Sequence, residues 1–135
     1  MSDFRYEAWT IVAGEDLDDT TKGTGHIFKA VALDDGQVAT TGKEAGGLLQ
    51  RAGGKSGEHT QLGIAGIMKF TAAAAVAAGD RLTVNGSGYC IAATSGSYVI
   101  GRVLDTAVVA GEVGWGAFDF MAPSYFGVQS GGTLP

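Results

Sequence analysis

Cysteine is almost missing from this chain of 135 residues, where Cys90 stands alone. One thiol cannot build a disulfide framework, and its solitude suits a reducing compartment. Its place inside an apolar run marks it as a small packed residue rather than a reactive thiol. Histidine is as scarce. His26 and His59 lie apart in turn-like surroundings, whereas metal sites want three or four convergent ligands at short spacing. Both are expected at the surface, and the sequence implies no metal and no cofactor. Basic charge is also short, with Lys+Arg at 9 against Asp+Glu at 14, for a formal net charge of −5. Nucleic-acid binding wants a basic stripe, so that class is excluded. Long apolar runs are absent too: none reaches the ~18 residues of a bilayer span. The start MSDFRYEAWT lacks the charged-then-apolar layout of a secretion signal. A soluble protein, made in the cytoplasm and binding no membrane, is expected.

Glycine is what the chain has in quantity. It holds 23 glycines against 2 prolines, with 45% apolar residues. That balance describes a turn-rich but well-cored protein rather than a disordered one. The length fits one domain of the usual ~100–150 residues, able to bury roughly two-thirds of its unfolded surface.

From Val76 the chain reads VAAGDRLTVNGSGYCIAATSGSYVIGRVLDTAVVAGEVGWGAFDF. Short apolar runs alternate with Gly/Asn/Asp/Ser clusters at roughly ten-residue spacing, the pattern of a compact antiparallel sheet or barrel. Leu82 and Val84 precede Asn85-Gly86, which suits a tight type I′ hairpin turn. Tyr89 to Ala93 then returns beside Arg81 to Val84. Further strands are expected at Tyr98 to Asp105 and Val113 to Phe120. Upstream, HIFKAVAL (26–33) reads as a strand closed by Asp34-Asp35-Gly36, with Gln37 to Thr41 a possible return. Gln61 to Thr71 is a longer strand, with Ile64, Met68 and Phe70 on one face and Ala65, Ile67 and Lys69 on the other. Only Ala72 to Ala78 favours helix, and so few residues support at most two turns, ended by Gly79.

The predicted organisation is an N-terminal arm over 1–23, an all-β antiparallel barrel over 24–120 and a tail over 121–135. In the arm, Phe4, Tyr6 and the Ala8-Trp9 pair sit among Asp3, Arg5 and Glu7, an alternation that suits a strand on one face of a sheet. Glu15 to Asp19 lacks the closing glutamate of a calcium loop, since Ile27 holds that position, and reads as a solvated acidic turn. The tail carries Tyr125 and Phe126 before a Gln-Ser-Gly-Gly-Thr end expected to be mobile. Trp115, between Gly114 and Gly116, is expected in the core, packed over glycine, with a partner-facing aromatic as the alternative.

Catalytic patterns fail on inspection. Gly53-Gly54-Lys55-Ser56 tempts a phosphate-loop reading, but the required upstream glycine is Leu49. No nucleophile-elbow pattern joins a serine to a histidine. The expectation is a protein that is not an enzyme.

The order of features from Gly36 to Phe120 resembles the small decoration, or cement, proteins of tailed-bacteriophage capsids. The pieces that carry it are Gly47-Leu48-Leu49-Gln50 before a glycine-rich loop and the strand Gly63 to Ile67. Ala77 to Leu82, Tyr98 to Leu104 and the Ala110-Gly111-Glu112 turn complete it. The resemblance implies a β-barrel or β-tulip-like domain, commonly a homotrimer, on the capsid exterior of a virion. It implies the major capsid protein as partner and no catalytic residue. Phe4, Tyr6, Trp9, Tyr125 and Phe126 are then the candidate partner interface. The arm either adds a strand to an edge of the capsid or a neighbouring subunit, or folds back on its own barrel and leaves Ala52 to His59 to touch the shell. A head-fibre or tail-associated β-module is the nearest rival. A ligand- or carbohydrate-binding barrel using Trp115 and Tyr98 is a rival of another class.

Overall fold

Small and β-branched residues in runs of three to seven, cut by glycine, favour short pleated segments over helix. A computed structural model of the chain describes residues 6–18, 26–40, 42, 44–105, 109–122 and 124–126, and every regular element among them is a strand. In chain order these are β1 (Tyr6–Val12), β2 (Ala30–Ala32), β3 (Ala45–Leu48), β4 (His59–Thr71) and β5 (Arg81–Val84). Then come β6 (Cys90–Ala92), β7 (Ser97–Val99), β8 (Gly101–Val103), β9 (Val113–Asp119) and β10 (Ser124–Phe126). Seven strands follow the antiparallel path β2-β3-β4-β9-β8-β5-β6, curled into a nearly closed barrel. The path's ends meet where Ala30 N–H donates to the Gly88 carbonyl at 2.9 Å. Off the path, β1 pairs with β4, and β7 pairs with β10 in a separate ribbon.

β4 is the spine. Ala65 pairs with Glu7 of β1 and with Asp119 of β9, so these strands flank it on opposite edges. Ala8 faces Gly63 while Glu7 faces Ala65, which leaves Ile64 as one residue too many. A bulge of this kind reverses which face the following side chains take. Leu62 and Ile64 therefore pack with Ala13, Leu17, Val31 and Leu49, outside the barrel wall. Met68 and Phe70 join the main core with Leu48, Leu82, Ile100, Val103, Phe118 and Phe120. The predicted common face for Ile64, Met68 and Phe70 is broken by that bulge.

Three other expectations change. Ala72 to Ala78 forms no helix, because neighbouring strands claim its backbone. Ala72 bridges Cys90, Ala73 N–H donates to the Cys90 carbonyl at 3.0 Å, and Ala77 N–H donates to the Asp80 carboxylate at 2.9 Å. The β5–β6 connection is not a two-residue turn at Asn85-Gly86. Val84 pairs with Cys90, and the Asn85 side-chain oxygen accepts from Ser87 and Tyr89 N–H at 2.9 and 3.1 Å. Positive φ falls instead on Gly88, at 79°, a conformation that suits glycine. Of 26–33, only Ala30–Ala32 is strand; Phe28 turns at φ 64°, and Val38 returns as a lone bridge to Val31.

Candidate partner-binding surface

The sequence assigns no chemistry to this chain, and the residues it singles out that are described lie on two separate edges. Tyr6 and Trp9 stand on β1, whose ladder runs from Tyr6↔Gly66 to Val12↔His59. Residues 6–12 thus lie along their own chain's β4. Tyr6 is half-buried against the main core. Trp9 is 62% exposed, opposite Leu62. Tyr125 and Phe126 lie on β10, paired with Tyr98 and Ser97 of β7. No pairing joins the two edges among the described residues. Phe4, Asp19 and the chain after Phe126 lie outside the described residues.

Trp115 is not in the core. Inward positions of β9 are Gly114, Gly116 and Phe118, and alternation turns Trp115 outward. There it lies half-buried opposite Lys69, whose ammonium sits 5.1 Å from the indole centroid and 5.6 Å from the Phe28 ring. Both distances fall inside cation–π range. Ile67, Ala117 and Arg102 form the next row across β4, β9 and β8. Leu104, which donates to the Trp115 carbonyl, and Val113 are also exposed. The outward face of β4, β9 and β8 is therefore largely apolar, with two cations set into it and the Asp119 carboxylate at its end.

Gln50 was invisible as a site residue, yet its side-chain amide imitates a neighbouring strand. It donates to the Lys69 carbonyl at 2.7 Å and accepts from Lys69 N–H at 2.9 Å. Phe28 continues the imitation by accepting from Thr71 N–H at 3.1 Å.

The acidic turn is not merely solvated. Glu15 accepts from Val38 N–H at 2.7 Å and Asp16 from Ser56 N–H at 2.9 Å. The amides of the phosphate-loop lookalike are all engaged with protein acceptors: Gly53 with the Leu17 carbonyl, Gly54 with Thr60 Oγ1, and Lys55 with the Glu58 carboxylate. Two carboxylates where a phosphate would sit make that loop a fold anchor. Cys90 is fully buried, and burial pushes its thiol far above the usual range. Among the described residues no three His, Cys, Asp or Glu side chains converge as metal ligands. No helix there is long and apolar enough to cross a membrane. A shallow recess of about 270 Å³ is lined by Gly79, Asp80, Arg81, Ala92 and Ala93, with neither Trp115 nor Tyr98 in its wall.

No protein-family model matches the chain. No curated protein matches it either. Among solved structures it is similar to the crystal structure of the head fiber gp8.5 N base in bacteriophage phi29, with a TM-score of 0.55 at 16% identity. The match covers 84% of this chain and 94% of that one. At such identity the likeness is one of fold.

Proposed function

We propose that this protein is a structural component of a tailed-phage virion that binds the head exterior and decorates or cements the major capsid lattice. The observation that carries the reading is the extent of the fold likeness, which runs through nearly all of a phage head-fiber base and most of this chain. The order of glycine-punctuated strands, which resembles capsid decoration proteins, supports the same placement independently. On this reading the protein is not an enzyme and needs no cofactor. It is made in the host cytoplasm, and its partners are the major capsid protein and two further copies of itself. Threefold assembly would let three modest contacts act together through effective concentration.

The neighbour's own name favours a second reading, in which the chain is the base of a head fiber. Copy number separates the two. Quantitative mass spectrometry of purified heads, with their imaging, measures it. Lattice decoration gives a count matching the threefold positions around the whole shell. A fiber base gives fewer copies, each under a projecting shaft. Absence from purified virions overturns both.

A further inference from the structure

β1 has an open side. It pairs with β4 alone, and nothing among the described residues pairs with its outer edge. Ala13 donates to the Glu58 carbonyl and accepts from Gly57 N–H, each at 2.8 Å, so it aims both backbone groups at β4. The bulge lies in β4, and alternation along β1 is therefore unbroken. Ile11, Trp9 and Glu7 aim their groups at β4 likewise, while Val12, Thr10, Ala8 and Tyr6 aim theirs outward. Gly36 closes against the Val12 carbonyl. Among the described residues, the amides and carbonyls of Ala8 and Thr10 remain as a short unpartnered row.

Natural edges are usually blunted by lysine, proline, a bulge or brevity. β1 is 7 residues long, contains neither lysine nor proline, and exposes Trp9 and Val12. Charge selects the occupant. Glu7 is exposed at one end of the row, and exposed Asp34 and Asp35 stand in the turn that closes on Val12 at the other. Glu15 and Asp16 follow directly behind, where Gly14 N–H donates to the Gly36 carbonyl. Lys55 belongs to the turn that reaches Ala13 from the β4 side. A second copy of β1 would bring the same acidic ends to this edge.

We propose that the outer edge of β1 receives an added strand from a different protein, an extended apolar segment flanked by lysine or arginine. Backbone hydrogen bonds to Ala8 and Thr10 supply the affinity, Trp9 the apolar contact, and the acidic ends the choice of partner. The identity of that partner as a head protein rests on the virion reading; the edge itself does not.

The test uses the whole chain with two synthetic probes, Lys-Val-Thr-Val-Thr-Val-Lys and its counterpart with glutamate at both ends, and reads amide exchange by NMR. The lysine-ended peptide should slow exchange at Ala8 and Thr10 by about tenfold or more, the ratio given by ~1.4 kcal/mol. The glutamate-ended peptide should not. Thr10→Pro removes an outward N–H and none that bonds β4, but also fixes φ. It should abolish the effect while the Trp9 and Ile11 amides stay as protected as in the parent, whereas Thr10→Val should bind as the parent does. Equal slowing by both peptides, or none by either, overturns the proposal. So does slow exchange without peptide in a protein of dimer mass, which would make the occupant a second copy. Purified heads that take up neither parent nor Thr10→Pro, while the lysine-ended peptide still binds, sink the virion reading and leave the edge standing.

Discussion

Phe118 shows how little room the barrel interior leaves. Its ring stacks on Phe120 at a centroid distance of 5.6 Å and meets Phe70 edge-on at 5.8 Å. Glycines make the seat. A methyl added at Gly116 would lie 2.7 Å from that ring and 3.0 Å from the Arg102 carbonyl. One added at Gly101 would meet the same ring and the Ala117 carbonyl at 2.7 Å. Gly101→Ala and Gly116→Ala must therefore push Phe118 off its stack. Overpacking of this kind costs about 1–3 kcal/mol, and a lower urea midpoint with an unchanged slope checks it. The Gly-Trp-Gly pattern announced a special site, but not whose ring the glycines admit, since Phe118 arrives from the same strand and Gly101 from its neighbour. Cys90 was legible because a single apolar-flanked thiol has few other roles. Its raised pKa carries a sign. The unfolded thiol ionises above about 8.5 while the buried one stays neutral, so stability is full below that pH and falls as pH rises beyond it. Urea midpoints from pH 7 to 10 should decline in the parent, and the decline should be smaller in Cys90→Ala.

At the scale of elements, β4 carries the most consequence. Its length and apolar content were plain in the sequence; its bulge was not. Nothing in Gly63-Ile64-Ala65 marks Ile64 as the extra residue, because the register is chosen by what β1 and β9 bury on either side. The same cause explains Ala72 to Ala78. Local propensity favours helix there by tenths of a kcal/mol per residue, and hydrogen bonds to Cys90, Asp80 and Glu112 outweigh it. Asn85-Gly86 named a turn correctly and its type wrongly, since Asn85 spends its side chain on Ser87 and Tyr89. Gln50 gives the clearest element-scale prediction. Gln50→Ala strips Lys69 of a donor and an acceptor at a half-buried strand edge, and each unmade bond to a buried group costs ~1–3 kcal/mol. Gln50→Glu keeps the acceptor and loses the donor, so it should fall between parent and alanine variant. Amide exchange at Lys69 should rise in the same order.

The whole molecule was legible in outline because glycine-rich turns at regular spacing leave a short antiparallel chain few options besides a barrel. The contact that nearly closes it was not, since Ala30 and Gly88 lie far apart in sequence. The candidate interface divides the same way. Alternation marked Tyr6 and Trp9 as strand residues, yet it could not say that β4 of the same chain would be their first partner. This placement changes how the proposed terminal contribution to head binding is tested. Deleting residues 1–10 would remove most of β1 and bare the cluster around Leu62, so lost binding could reflect lost folding. Trp9→Ala is the cleaner probe. At 62% exposure it should leave the unfolding free energy from urea titration within about 0.5 kcal/mol of the parent. An interface tryptophan is commonly worth ~2 kcal/mol or more, so if β1 carries the proposed contact, head affinity should fall by at least about tenfold. Co-sedimentation with heads stripped of this protein measures it. Undiminished binding would move the contact away from β1, to the loop over 52–59 or to the β7–β10 ribbon.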